Sequence, residues 1–221
     1  MLDKRIRYLQ VAFNGSVQQV YSLLPTIQGN DRILIEAGTP FIKNEGLNGI
    51  RAIRSMWQGV IIADLKTTDG AVGEVRAVHS AGANGATALG SAPIETLNLF
   101  IQTTKELDMI SMIDMIGVNE PMKKIRLLKS RPDVVILHKG RDEEADKTKM
   151  IEYKQINKIR SKFDVIIAAA GGVDLREARS AIFNGASLVV ANIVSGSDGL
   201  TGIEAGPGLS EMVKQFLETI R

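Results

Sequence analysis

Short apolar runs alternate along this chain with longer segments in which apolar and charged residues recur at helical spacing. The runs predict strands at Tyr8–Phe13, Ile33–Glu36, Val60–Asp64, Gly85–Ala88, Ile110–Asp114, Val134–His138, Val165–Ala169 and Leu188–Ala191. Their centres recur roughly every 25 residues, the length of one strand–helix unit. Stretches such as VIIAD, DVVIL and DVIIAAA are apolar at nearly every position, as expected of parallel strands covered on both faces. Between them, Glu45–Trp57, Pro93–Glu106, Glu152–Lys162 and Leu175–Asn184 carry charged faces at helical spacing. Gly82 in SAGA and Gly185 in FNGA follow helices and precede strands, where glycine takes the left-handed cap conformation. This repeat predicts a closed parallel (β/α)₈ TIM barrel, class α/β, with residues 1–221 as one domain. An open doubly wound sheet shares the alternation; the regular spacing of the units favours closure.

Composition narrows the class of function. The 221 residues include 27 Lys or Arg against 25 Asp or Glu, a net charge of +2. Nothing in that balance points to nucleic acid or an anionic membrane as partner. The absence of cysteine excludes disulfides and thiolate metal sites. The N-terminal MLDKRIRYLQVAF has neither a long apolar stretch nor a small-residue cleavage site, and no apolar run is long enough to span a membrane. A soluble, cytoplasmic enzyme is expected.

In parallel α/β folds, chemistry gathers at the carboxyl ends of strands. Here the predicted strands end in Glu36, Asp64, Asp114 and His138. The densest cluster is Asp64-Leu65-Lys66-Thr67-Thr68-Asp69-Gly70. Asp64 and Lys66 are two apart and share a face in extended backbone. Two readings fit Asp64, Lys66 and Asp69: carboxylates ordering a cation and an ammonium that stabilises a developing anion, or a salt-bridge network at a strand end. Glu36, on the neighbouring strand, either shares a hard cation such as Mg²⁺ with Asp64 or pairs with Lys66. His138 opens the cluster HKGRD and is suited to proton transfer near neutral pH, whereas His79 lies in a helical segment. Gly171 and Gly172 follow strand seven, where small residues let backbone N–H groups approach a phosphate or simply make a tight turn. Their counterparts after strand eight are Asn192 and Ile193. Lys139 to Lys149, KGRDEEADKTK, is either a mobile loop or a solvated loop and helix start.

Together these segments resemble the orotidine 5′-monophosphate decarboxylase superfamily, and within it the branch of 3-hexulose-6-phosphate synthase and 3-keto-L-gulonate-6-phosphate decarboxylase. The resemblance rests on LQVAFN at Leu9–Asn14, IEAGTPFIKNEG at Ile35–Gly46, ADLKTTDGAVGEV at Ala63–Val75, HKGRD at His138–Asp142 and AAGGV at Ala169–Val173. It implies Mg²⁺ near Glu36 and Asp64, an enediolate-stabilising Lys66, proton transfer by His138, and phosphate at Gly171 and Gly172. It also implies that Asp69 reaches the active site of a partner subunit in a homodimer. Arg141 matches an arginine of the decarboxylase, while Gly140 suits the synthase. The chain departs from the family pattern at Asn14, where Asp is usual, at Asn192, where Gly or Arg is expected, and in EEADKT after Asp142. The segment Ser195–Gly208 is also longer and richer in glycine.

The activity implied first is Mg²⁺-dependent aldol addition of formaldehyde to ribulose 5-phosphate. Decarboxylation of a 3-keto sugar-acid phosphate is the alternative; orotidine 5′-phosphate decarboxylation is disfavoured, since Gly70-Ala71 follow Asp69. A non-catalytic phosphosugar-binding barrel is the third reading, motivated by Asn14 and Asn192.

Overall fold

A computed structural model describes residues 2–146 and 148–221. Eight parallel strands form it: β1 Tyr8–Phe13, β2 Ile33–Ala37, β3 Ile61–Thr67, β4 Gly85–Leu89, β5 Ile110–Asp114, β6 Val134–His138, β7 Ile166–Ala170 and β8 Leu188–Val194. They neighbour one another in chain order, and β1 pairs with β8 through Tyr8↔Leu188 to Ala12↔Asn192, which closes the barrel. Closure pairs each of the eight on both sides and leaves no open-sheet edge strand with unpaired backbone. The open-sheet rival is thereby excluded.

The helices are α1 Val17–Leu23, α2 Thr39–Met56, α3 Ala71–Ser80, α4 Ile94–Glu106, α5 Pro121–Arg126, α6 Lys154–Arg160, α7 Leu175–Phe183 and α8 Leu209–Thr219. They pack outside the sheet. One apolar layer lies between strands and helices and includes the fully buried Phe13, Phe41, Phe100 and Phe216. Each such ring contributes about 1.5–3 kcal/mol by leaving water. A second, smaller core fills the barrel with Leu34, Ile62, Met112, Val134, Ile166 and Leu188. Gly82 and Gly185 both sit at φ +101° after their helices, as the sequence predicts.

Several details differ from the sequence reading: β3 runs beyond Asp64 to Thr67, and β7 spans Ile166–Ala170 rather than Val165–Ala169. Helix α2 begins at Thr39 rather than Glu45, because Gly46 (φ 59°, ψ −152°) interrupts it without ending it. β8 runs on to Val194, and the glycine-rich segment after it contributes a two-residue strand, β9 Ile203–Glu204, paired with Ile193 and Val194. Within Lys139–Lys149 there is a short 3₁₀ turn, Arg141–Glu143; Lys147 lies outside the described residues, as does Met1. No helix of the described chain is long and apolar enough to cross a membrane.

Candidate active site

Side chains alternate across a strand, so every second residue points into the barrel. The inward rows that carry Leu34, Ile62, Met112 and Ile136 in the inner core continue two residues on to Glu36, Asp64, Asp114 and His138. A polar ring therefore caps the inner apolar core at the carboxyl ends of the strands. Above it opens a cavity of about 370 Å³, lined by Glu36, Asp64, Lys66, Asp114, His138 and Asn192 among others.

Lys66 reaches this ring by an irregular route. The β3–β4 register shifts between Ala63 and Thr67, and Lys66 takes φ +49°, a conformation uncommon outside glycine. Left-handed backbone costs about 1–2 kcal/mol per residue. Its N–H donates to Thr87 Oγ1 at 2.9 Å. Extended backbone would have set Asp64 and Lys66 side by side; a bulge brings them together instead. Lys66 Nζ lies 2.9 and 2.7 Å from the two Asp64 carboxylate oxygens and 2.9 Å from Asp114 Oδ2.

Both carboxylates are held from behind. Asp64 accepts hydrogen bonds from Thr87 Oγ1 at 2.7 Å and Thr39 Oγ1 at 2.8 Å. Asp114, 1% exposed, accepts the Ile116 N–H at 2.9 Å and lies 2.8 Å from His138 Nδ1. Burial works against the charges of Lys66, Asp114 and His138, and their mutual attractions outweigh it. It pushes Lys66 down, but Asp64 and Asp114 hold the ammonium above the ordinary lysine range. It pushes Asp114 up, but His138 and Lys66 hold that carboxyl well below the usual range. It pushes His138 down, but Asp114 raises the imidazole overall.

Glu36 is the exception. Burial, then the neighbouring Asp64, push its carboxyl up to about 7 despite Lys66. Lys66 makes its direct ion pairs with Asp64 and Asp114, leaving Glu36 without that partner. One Glu36 oxygen accepts from Gln10 Nε2 at 2.5 Å; the other accepts no hydrogen bond among the described residues. Gln10 itself is fully buried, and its Oε1 has no partner there. A buried carboxylate with a free oxygen beside a second carboxylate suits a hard cation. No group of three or more His, Cys, Asp or Glu side chains is poised to hold an ion among the described residues. A cation shared by Glu36 and Asp64 would need its remaining ligands from water and substrate.

A pH dependence of stability follows. Glu36 rises from 4.5 to about 7 on folding, so over that interval the folded metal-free protein binds more protons than the unfolded chain. Its contribution favours the fold at the acid end and is lost as pH rises through 7. Glu36→Gln is expected to flatten this slope, worth at most about 3 kcal/mol, in urea titrations of EDTA-treated protein between pH 5 and 8.

The other predicted residues are distributed as follows. Asn14 donates to Asn192 Oδ1 at 3.1 Å, and both line the cavity with Arg141 and Gly171. Gly171 has φ +98°, and a Cβ there would lie 1.9 Å from the Lys139 carbonyl oxygen, so a side chain is excluded. Gly172 (φ +62°) does not line the cavity. Ile193 is buried in the layer beneath the helices. Asp69 is exposed and lies outside the cavity, and His79 is exposed on α3. Asp114 is the hub of the site, although the strand-end pattern assigns it no role. Thr39, Thr87 and Gln10 also belong to the site, although no strand-end motif marks them. The period-two rows would have found Gln10 and Thr87, which face inward from β1 and β4; Thr39 carried no such signal.

The model of the orotidine 5′-phosphate decarboxylase / HUMPS family matches residues 7–192. A "Bifunctional enzyme Fae/Hps" of Methanocaldococcus jannaschii is 38% identical over 191 residues, which are 86% of this chain and 48% of that protein. That of Methanocella arvoryzae is 34% identical over 219 residues, 97% of this chain and 55% of that protein. The chain thus spans about half the length of the curated relatives it matches. Among solved structures, a 3-hexulose-6-phosphate synthase superposes with a TM-score of 0.80 at 27% identity, covering 97% of this chain and 100% of that one. The 3-hexulose-6-phosphate synthase of Salmonella typhimurium shares the fold, with a TM-score of 0.84 at 24% identity over 96% of this chain and 98% of that one.

Proposed function

The chain belongs to the orotidine 5′-phosphate decarboxylase / HUMPS family, and on that premise we propose that it catalyses aldol addition of formaldehyde to ribulose 5-phosphate, as a 3-hexulose-6-phosphate synthase. The observation that carries the reading is the Lys66 ammonium, held between Asp64 and Asp114 in the cavity that also receives His138.

The reaction needs a base for the C1 proton and fixed positive charge for the oxyanion that forms. His138 takes the proton; Asp114 orients its ring and stabilises the imidazolium. Lys66, fixed by two carboxylates, stabilises the enediolate without reorganising, which is where preorganised charge acts most strongly. The enediolate carbon attacks formaldehyde, and a proton returns to the new alkoxide. Glu36 and Asp64 would hold a Mg²⁺ or similar divalent ion, which when bound supplies Lewis-acid polarisation of substrate oxygens. Gly171 and Arg141 receive the phosphate end, and Asn14 with Asn192 reads substrate hydroxyls. Asp69, outside this cavity, serves the partner's site in a homodimer, and the protein works in the cytoplasm.

The test is consumption of ribulose 5-phosphate with and without formaldehyde, in Mg²⁺ and in EDTA. Formaldehyde-dependent loss that EDTA abolishes is expected. Tight sugar-phosphate binding with no turnover by metal-loaded protein would sink the aldol reading. Arg141 in the cavity wall supports a second reading, decarboxylation of a 3-keto sugar-acid phosphate. Release of CO₂ from that substrate without aldol activity would select it.

A further inference from the structure

The loop after β6 carries an acidic side chain into the substrate cavity. Gly140 N–H donates to Glu143 Oε2 and Glu143 N–H to the Gly140 carbonyl, both at 2.9 Å, which locks the 3₁₀ turn Arg141–Glu143. Glu144 follows that turn and lines the same cavity as Lys66 and Arg141. Its Oε2 accepts the Thr201 N–H at 3.2 Å. A Cβ placed on Gly172 would lie 3.2 Å from that same oxygen. One carboxylate therefore rests against the glycine turn after β7 and is hydrogen-bonded to the segment after β8.

Those two segments are where a barrel of this kind offers backbone N–H groups to an anion. The Glu144 carboxylate lies against the first of them at Gly172 and takes one N–H, that of Thr201, from the second. Arg141 and Asp142, which line the cavity too, sit three and two residues before Glu144 on the same loop. We infer that Glu144 is a specificity-determining residue that competes with the substrate's phosphate: phosphate binds by displacing the Glu144 carboxylate from Gly172 and the Thr201 N–H. The inference rests on the sugar-phosphate reading of the cavity. Two like charges do not share one set of donors, so the carboxylate lowers affinity for every phosphorylated ligand and for inorganic phosphate alike.

Glu144→Gln separates this role from that of a loop strap. The amide oxygen still accepts the Thr201 N–H, so a strap survives while the charge is gone. Calorimetric titration with inorganic phosphate is expected to show Glu144→Gln binding about tenfold more tightly than wild type, the shift that ~1.4 kcal/mol of relieved repulsion gives. The KM for ribulose 5-phosphate should fall in parallel. Glu144→Ala, which loses the hydrogen bond as well, should bind phosphate at least as tightly as wild type. Saturable phosphate binding of equal or weaker affinity in Glu144→Gln overturns the competition and leaves the phosphate site standing. Saturable binding to neither protein overturns both. A tenfold shift in a protein without aldol activity upholds the competition and removes only the proposed reaction.

Discussion

Lys66→Ala is expected to lower kcat for the proposed aldol reaction by at least about 10²–10³-fold, the range seen when one preorganised oxyanion donor is removed. Three features make the loss large. The ammonium is fixed by two carboxylates, so in the wild type no reorganisation is needed when the oxyanion forms. It lies in a largely buried ring where charge is weakly screened. No second lysine or arginine contacts Asp64 or Asp114 among the described residues, so no neighbour substitutes for it. The variant also leaves Asp64, Asp114 and Glu36 facing one another. Its stability should fall most above pH 7, where Glu36 is ionised beside Asp64, and recover as pH drops and Glu36 takes a proton. Parallel measurement of kcat and urea midpoint at pH 6 and 8 checks both parts. Retention of wild-type kcat would remove Lys66 from the mechanism.

The second large effect is expected at Asp114. Removing one partner from a buried charge pair typically costs about 3–5 kcal/mol, and Asp114→Ala takes a counter-ion from Lys66 and the orienting bond from His138 at once. Asp114→Asn is the finer probe, since it keeps the size and the capacity to accept the Ile116 N–H. Without the carboxylate, burial acts on His138 unopposed by its main partner, and the imidazole falls from its raised position. The sign for stability follows. A histidine raised on folding favours the fold below its unfolded pKa, and that contribution is lost as pH rises through the folded value. Asp114→Asn removes this pH-dependent share. NMR titration of the His138 ring, with the pH profile of kcat/KM, measures it directly. A ring that titrates where it does in the wild type would show that Asp114 does not govern it.

Strand count, order and spacing were legible because parallel strands covered on both faces must be apolar throughout, which makes them stand out from amphipathic helices. Some strand ends were legible for a related reason: in β6 the apolar run VVIL gives way to His138 at the cavity, whereas β3 runs three residues beyond Asp64 to Thr67. Tyr8–Phe13, Ile110–Asp114 and Val134–His138 coincide with β1, β5 and β6. The Lys66 bulge was not legible, because a left-handed lysine has no local signature; it persists through the Thr87 hydrogen bond and the two carboxylates around it.

By itself the sequence determined the closed α/β repeat, the end of the barrel that carries the polar ring, and the acidic, basic and imidazole groups placed there. These depend on patterns within one strand–helix unit. Tertiary structure alone decided the pairing: that Lys66 bridges Asp64 and Asp114, that Asp114 also holds His138, that Glu36 is left to Gln10, and that Glu144 reaches Thr201. The groups in these contacts lie up to 57 residues apart. Barrel closure brings them within hydrogen-bonding distance, and burial then makes each choice of partner decide a proton affinity.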